Sequence, residues 1–289
     1  MKSPTSFTRQ ETMLRCPRRF YFRYLADCER SKSLRRLMAV RELGGHCIHL
    51  TLANMVRRIA NGDRVSDQTN GVESALGLFN SVVEESIILR PGVLSNGLQL
   101  AESFNDTPCA EDIRDWRELI PLAIQNGVRL MSYFNLRSCK TGYQLAAEQR
   151  AEHRYKGRTR RFVIDVLIRD DETGVTVIDW KTHSISANDL KQIEMYQHWL
   201  LDAGRARPTR IFGFAVDLVN EQVVEAPYRV IDQVYAASRT FSLRSASAAT
   251  NCNTVTDPYP AKPSLTACGI CPFSTLCPSS ALKTTEATR

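Results

Sequence analysis

The sequence predicts an α/β fold in which a central mixed sheet is flanked by helices. Three strand-like segments follow one another between residues 143 and 181, and a helix-like segment at 188–204 separates them from two more. Helical patterns dominate the chain before residue 143. The apolar runs of the middle strands are typical of strands covered on both faces, so we expect helices on both sides of the sheet.

Two short helices are predicted at the start of the chain. Thr8 and Glu11 have the spacing of a capping box, and Pro17 suits the first position of a helix that continues to about residue 30. A longer helix is predicted over about residues 37–60.

The middle of the chain is predicted to be a helical insertion, residues 61–140, within one domain of residues 1–289. Residues 61–75 are polar and rich in turn-forming residues, which indicates a connection between elements. Helical patterns return at about 75–90 and 111–135. The sequence of this insertion indicates no chemistry of its own.

The sheet is predicted from the alternation of apolar and polar residues after residue 143 and from the turn-forming residues between these segments. The second and third strands are apolar on both faces, so we expect them at the centre of the sheet. Asn188 is the predicted N-cap of the helix that comes after them, and Gly204 is its predicted end. The predicted strands are 143–155, 160–168, 174–181, 209–219 and 222–230, and the predicted helices are 188–204 and 231–247.

Two aspartates and a lysine lie inside these apolar strands. Asp179 and Lys181 are two residues apart and face the same side of one strand, and Asp165 lies on the preceding strand. Carboxylates that converge repel each other unless a divalent cation lies between them. A lysine beside them can orient a water or stabilise charge on a phosphate. The alternative is a surface hairpin with an Asp–Lys pair, which is disfavoured because unpaired charge in apolar segments is costly.

This pattern, with Gln192 and Tyr196 on the following helix, resembles the PD-(D/E)XK nuclease superfamily and, more narrowly, its RecB-like branch. The resemblance implies a restriction-endonuclease-like core in which Asp165, Asp179 and Lys181 are catalytic. Gln192 and Tyr196 are four residues apart, so both face one groove, where the resemblance implies contact with the DNA backbone. The alternative for this pair is a solvated helix face with a half-buried tyrosine.

The resemblance also implies a metal site. Gly45 and His49 match the G-x3-H element of the branch, which implies that His49 is a ligand, whereas the residues alone favour a core histidine. Lys181 is implied to position the attacking water. The implied ligands of Mg2+ or Mn2+ are His49, Asp165, Asp179 and the carbonyl of Trp180.

A glutamate ahead of the Asp165 strand is also usual in the family. Glu148 and Glu152 both qualify by position, and Glu148 is slightly preferred. Phe162 departs from the family pattern, which often has glycine three residues before the first aspartate. This departure leaves the predicted ligands intact, but it bears on how closely the backbone of a DNA substrate can approach the strand.

Three cysteines near the C-terminus, Cys268, Cys271 and Cys277, have the spacing of part of a metal or iron–sulfur site, which needs four ligands. The segment around Cys16 resembles the start of a nuclease subgroup that includes AddB-type subunits and CRISPR-associated RecB-like exonucleases. The resemblance implies a structural 4Fe–4S cluster with Cys16 as the fourth ligand, formed by residue 16 and residues 264–280. Zinc on the same thiolates and free cysteines are the alternatives. The odd count of nine cysteines favours reduced thiols over a disulfide framework.

The net charge of +7 suggests a polyanionic partner. Lys156, Arg158 and Arg160 on the first hairpin are the predicted phosphate contacts, and further arginines lie close to Cys16. For the aromatic residues at 20–24 we favour a place in the core over stacking on bases.

The sequence therefore predicts a metal-dependent DNA nuclease, and the subgroup implies exonuclease action on single-stranded ends. One alternative is a nuclease subunit with a protein partner in a helicase–nuclease, repair or CRISPR-adaptation complex. Another is a catalytically vestigial DNA-binding module. The sequence has no P-loop motif, no secretory signal pattern and no apolar run long enough for a membrane span, so we expect a cytoplasmic protein without an ATP motor of its own.

Overall fold

The structure is a computed structural model that describes residues 7–63, 68–155, 158–203, 210–227 and 259–286. Two units make up the chain. The sheet unit comprises Met1–Pro4, His46–Leu76 and Glu118–Leu243, and the cysteine unit comprises Thr5–Gly45, Gly77–Arg117 and Arg244–Arg289. Residues 61–140, predicted to be an insertion, contribute to both units.

A five-stranded mixed sheet forms the centre of the sheet unit. Its strands, in spatial order, are β3 (Tyr143–Tyr155), β4 (Arg158–Asp170), β5 (Gly174–Lys181), β6 (Ile211–Asp217) and β7 (Gln222–Glu225). The strands β3, β4 and β5 form an antiparallel meander, β5 pairs with β6 in parallel, and β6 pairs with β7 antiparallel. The two apolar strands β4 and β5 lie inside the sheet, so the prediction of a central place for them is confirmed.

The described part of the chain contains ten helices, none of them long and apolar enough to cross a membrane. The predicted helix at 231–247 lies outside the described residues. The helices are α1 (Phe7–Arg15), α2 (Pro17–Tyr24), α3 (Glu29–Leu34), α4 (Val40–Ala60), α5 (Gln68–Ile88), α6 (Ala101–Phe104), α7 (Ala110–Tyr133), α8 (Ala187–Asp202), α9 (Leu265–Gly269) and α10 (Ala281–Glu286).

Helix α8 connects β5 to β6 and packs closely on the sheet. Its N-cap is Ser186, two residues before the predicted Asn188. The Ser186 side chain accepts from the backbone N–H of Asp189, and the Asp189 carboxylate accepts from the backbone N–H of Ser186, which completes a capping box. Gly213 on β6 makes the close approach possible, because a Cβ there would lie 2.3 Å from Cγ2 of Ile193.

Helix α4 carries His49 and packs within the sheet unit through its buried residues Ile48, Leu52 and Val56. Gly127 of α7 lies against Leu52, since a Cβ at Gly127 would come within 2.7 Å of Leu52 Cδ2. The helix begins at Val40 and not at residue 37, because Leu37–Met38 pairs as strand β1 with Gln99–Leu100, strand β2.

The cysteine unit begins with α1 and α2, which meet at Cys16. Cys16 is the N-cap of α2 and Pro17 occupies its first turn, as predicted. Phe20 and Phe22 are buried, so the preference for a core position over base stacking is confirmed for them. Cys28 is disulfide-bonded, which corrects the expectation of reduced thiols at this position.

Candidate metal centre and cysteine cavity

Asp165 lies where the pairing of two central strands ends. The β4–β5 ladder closes with Val166 opposite Ile178, so the next positions on the two strands are Asp165 and Asp179. The backbone N–H of Trp180 donates to Asp165 Oδ2 at 2.8 Å. The carboxylate thus replaces a backbone carbonyl as the acceptor for this N–H, which fixes it beside β5. Asp165 is a buried residue.

Asp179 and Lys181 form a buried ion pair on β5, with Lys181 Nζ 2.5 Å from Asp179 Oδ2. Burial raises the pKa of Asp179 to about 6, because the opposing effect of Lys181 is incomplete and the charge of Asp165 adds to the rise. Burial alone would lower the pKa of Lys181, but the carboxylates of Asp179 and Asp189 outweigh it and the net shift is upward. Lys181 is therefore held as an ammonium.

Three side chains from three elements converge at a candidate metal centre. One ligand atom each from His49 on α4, Glu148 on β3 and Asp165 on β4 lies within 4.8 Å of the other two. His49 Nδ1 is 3.4 Å from Asp165 Oδ2. Burial lowers the pKa of His49, but the nearby Asp165 carboxylate outweighs it and the pKa is raised. The pKa of Glu148 is raised by burial and then by the charge of Asp165.

Glu148 reaches this centre through an unusual backbone conformation. Its φ is 54°, in the left-handed region that residues other than glycine rarely adopt. The β3–β4 pairs on either side are Ala147 with Val166 and Gln149 with Ile164, so Glu148 stands at the position facing Asp165. Strained residues of this kind cluster at functional sites. Glu148, the slightly preferred candidate, thus lies beside His49 and Asp165, whereas Glu152 is exposed and paired with Arg161 at 2.7 Å.

The donor set of this centre fits a divalent cation. Two carboxylates suit Mg2+ and Mn2+, and an imidazole beside them is a donor that transition-metal ions accept more readily than Mg2+ does. Asp179, also predicted to be a ligand, lies outside the set of three and is engaged by Lys181. The Trp180 carbonyl remains a predicted ligand.

Gln192 and Tyr196 both contact Asp179, with Tyr196 buried and Gln192 half-buried. Tyr196 is 0% exposed, and its hydroxyl lies 3.3 Å from Asp179 Oδ1 and 3.1 Å from the carbonyl of Val163. Gln192 donates to the Tyr196 hydroxyl and accepts from Lys181 Nζ at 3.2 Å. Phe162, which replaces the glycine of the family pattern, packs against the Tyr196 ring at 5.0 Å between centroids. The predicted pair is therefore part of the support for Asp179 and Lys181.

Asp189 is a residue of this site that the sequence argument missed. Its Oδ1 lies 3.2 Å from Lys181 Nζ, and its Oδ2 accepts from the backbone N–H of Ser186 at 2.8 Å. The Ser186-x-x-Asp189 spacing is the sequence signal that could have found it, because a capping box fixes the side chain at the start of α8.

The predicted phosphate contacts on the β3–β4 hairpin are only partly described. Lys156 and the side chain of Arg158 lie outside the described residues. Arg160 is 3% exposed, with its Nη1 3.5 Å from Met195 Sδ, so its guanidinium does not face a phosphate in this arrangement. Arg161 lies on the opposite, exposed face of the same strand.

In the cysteine unit, all four predicted cluster ligands line one cavity of about 110 Å³. Burial raises the pKa of Cys271 to about 11 although the nearby Arg19 lowers it, and burial also raises the pKa of Cys277. The cavity wall is basic as well, with Arg15, Arg18, Arg19, Arg41 and Lys262 among its residues.

The segment 268–277, here called the cysteine loop, is fixed by Asn105. The Asn105 amide donates to the carbonyls of Gly269 at 2.7 Å and Cys271 at 3.0 Å, and its oxygen accepts from Ser274 Oγ at 2.5 Å. A residue from the helical middle of the chain thus fixes the backbone that presents three of the cysteines.

Comparison with known proteins gives one family. A sequence model of the PD-(D/E)XK nuclease superfamily matches residues 4–278. No curated protein matches the chain significantly.

Two solved structures are similar to the chain. Protein VC1899 from Vibrio cholerae is 15% identical with a TM-score of 0.25, and the match covers 82% of this chain and 52% of that one, so the chain spans about half its length. SSO0001 is 15% identical with a TM-score of 0.31, and the match covers 80% of this chain and 95% of that one.

Proposed function

Because the chain belongs to the PD-(D/E)XK nuclease superfamily, we propose that it is a metal-dependent exonuclease that hydrolyses phosphodiester bonds at the ends of single-stranded DNA. The observation that carries this proposal is the convergence of Asp165 and Asp179 with Lys181 at the end of the β4–β5 ladder. The presence of both aspartates and the lysine disfavours the alternative of a catalytically vestigial DNA-binding module. The preference for single strands and ends rests on the resemblance to the RecB-like branch.

His49, Glu148 and Asp165 would hold Mg2+ or Mn2+, and Asp179 and the Trp180 carbonyl are proposed as further ligands. When bound, such an ion lowers the pKa of a water and offsets the charge that develops on the phosphate.

Lys181 would act as a donor and not as a base. Its ammonium is stabilised by Asp179 and Asp189, so it has no free lone pair with which to take a proton. A fixed ammonium can orient a water and stabilise negative charge on a phosphate oxygen. Asp165 would hold β5 in place through the Trp180 N–H while contributing to the metal centre.

The DNA backbone would be bound by polar residues around the site. Gln192 is half-buried beside Lys181, and Lys156, Arg158 and Arg161 are proposed to contact phosphates. The net charge of +7 would add to the attraction, which makes binding salt-dependent.

We propose in addition that Cys16, Cys268, Cys271 and Cys277 hold a 4Fe–4S cluster with a structural role. Their arrangement around one cavity supports this proposal. Among the described residues, no three cysteine sulfurs lie within 4.8 Å of one another. Tetrahedral zinc with bonds of about 2.3 Å needs sulfurs roughly 3.8 Å apart, whereas a four-iron cluster places one iron behind each cysteine and spreads the sulfurs further.

The mode of cleavage can be tested with protein purified without oxygen. Linear end-labelled single-stranded DNA, its duplex and a covalently closed single-stranded circle are incubated with the protein and Mn2+. The proposal predicts loss of the linear single strand from its ends, an intact circle and little action on the blunt duplex. Cleavage of the circle would refute exonuclease action, and equal digestion of the duplex would refute the preference for single strands.

A further inference from the structure

The ammonium of Lys181 has three acceptors around it. Asp179 Oδ2 is 2.5 Å away, Asp189 Oδ1 is 3.2 Å away and Gln192 Oε1 is 3.2 Å away. An ammonium has three N–H groups, so it can face all three acceptors at once. Two of the three, Asp189 and Gln192, belong to α8 and are three residues apart.

Asp189 divides its two oxygens between two tasks. Its Oδ2 accepts from the Ser186 backbone N–H at 2.8 Å and from Ser186 Oγ at 2.6 Å, and it lies 3.5 Å from His183 Nε2. Its Oδ1 faces Lys181. Asp189 is buried, and the bonds of its Oδ2 at the helix cap fix its Oδ1 beside the lysine.

We propose that Asp189 is a positioning residue that keeps the Lys181 ammonium in place when Asp179 turns to a divalent cation. This inference rests on the proposed nuclease function. A carboxylate that binds a cation gives up much of its attraction for a neighbouring ammonium, and Lys181 must then be held by its other partners. Without Asp189, Asp179 would be the one carboxylate within 4 Å of the Lys181 ammonium among the described residues. Lys181 would then follow Asp179 and compete with the cation for it.

The variant Asp189→Asn separates the two tasks of this side chain. Its amide oxygen can still cap α8, while its NH2 group would meet the ammonium and cannot accept from it. The matched control is Asp202→Asn, the same chemical change at the other end of the same helix, where Asp202 pairs with His153 at 2.6 Å.

The first test is steady-state hydrolysis of single-stranded DNA with Mn2+. The expected result for Asp189→Asn is a kcat about 10- to 100-fold lower, as for other residues that orient a ligand or a catalytic group, with KM for DNA changed less than about twofold. In a Lys181→Met background the same substitution is expected to have no further effect, because its target is gone. Ser186→Ala keeps both charges and removes the two hydrogen bonds that Ser186 Oγ makes with Asp189. It is therefore expected to lower kcat in the same way by a smaller factor, and it serves if Asp189→Asn folds poorly.

The second test needs neither metal nor activity. In metal-free protein the decreases in Tm of Asp189→Asn and Lys181→Met are expected not to add in the double variant, whereas those of Asp202→Asn and Lys181→Met are expected to add. Additive decreases for the first pair would overturn the contact.

Three kinetic results would overturn the positioning role: an unchanged kcat in Asp189→Asn, an equal loss in Asp202→Asn, or an undiminished loss in the Lys181→Met background. A wild-type protein without Mn2+-dependent hydrolysis would instead refute the proposed function, and the positioning role with it.

Discussion

Replacing Tyr196 by phenylalanine removes one hydroxyl from beside Asp179 and leaves the ring in place. The hydroxyl lies 3.3 Å from Asp179 Oδ1 and 3.1 Å from the Val163 carbonyl, and it accepts from Gln192. Since Tyr196 is fully buried, the substitution removes no surface that DNA could reach. The change therefore separates support of Asp179 from contact with the DNA backbone.

The expected effect follows from the strength of one hydrogen bond to a charged group. Such a bond contributes about 1.5–3 kcal/mol. The bond from the Tyr196 hydroxyl to Asp179 lies at the low end, because it is 3.3 Å long and the single hydroxyl hydrogen is shared with the Val163 carbonyl. A loss of about 1.4 kcal/mol in the transition state is about tenfold in rate. We therefore predict a kcat about tenfold lower for Tyr196→Phe, with KM for single-stranded DNA unchanged.

The assay is steady-state hydrolysis of a labelled oligonucleotide with Mn2+. The matched control is Tyr143→Phe, which also removes a buried tyrosine hydroxyl. That hydroxyl accepts from the Arg137 backbone N–H. Tyr143 pairs with Asp170, at the end of β4 away from Asp165. The control is expected to keep the wild-type kcat. A raised KM with an unchanged kcat in Tyr196→Phe would refute the reasoning, because it would mean that the hydroxyl contacts DNA.

Three further substitutions test other parts of the structure. Glu148→Gln is expected to weaken Mn2+ binding, measured by calorimetry, about 10- to 100-fold, while the exposed Glu152→Gln leaves it unchanged; equal affinities would remove Glu148 from the centre. Asn105→Ala leaves two carbonyls of the cysteine loop without their donor, so it is expected to lower the free energy of unfolding by about 1–3 kcal/mol and to reduce bound iron. Unchanged iron content and stability would contradict the conclusion that Asn105 fixes the cysteine loop. Gly213→Ala forces a Cβ against α8 and is expected to lower the free energy of unfolding, measured with urea, by about 1–3 kcal/mol. Gly77→Ala, in a helix with open space around it, is expected to raise the free energy of unfolding by up to about 1 kcal/mol. Similar results for the two would contradict the tight packing of α8.

The sheet could be predicted from the sequence because its signal is local. Strands β3 and β5 have the predicted bounds, since alternation and apolar runs end at clear turns. Asp165, Asp179 and Lys181 stand together because two adjacent strands carry them, and that neighbourhood follows from the turn between the strands.

The contacts around these residues do not follow from the strand pattern, although the family resemblance does point to Glu148. Glu148 faces Asp165 through a left-handed backbone that no sequence rule places in a strand. Arg160 is buried because it shares a face with Phe162 and Ile164, a signal that period-two alternation did contain. Tyr196 is buried because α8 is covered on more than one side, which depends on tertiary packing.

The measurement that tests the central claim most directly compares the wild-type protein with Asp179→Asn in Mn2+-dependent digestion of end-labelled single-stranded DNA. Asp202→Asn, purified in the same way, controls for the chemical change and for contaminating nucleases. We predict digestion by the wild type and the control, no digestion with EDTA, and a rate about 10²–10³-fold lower for Asp179→Asn. Equal rates for Asp179→Asn and the wild type, or digestion that EDTA does not stop, would contradict the assignment of this site as a metal-dependent nuclease centre.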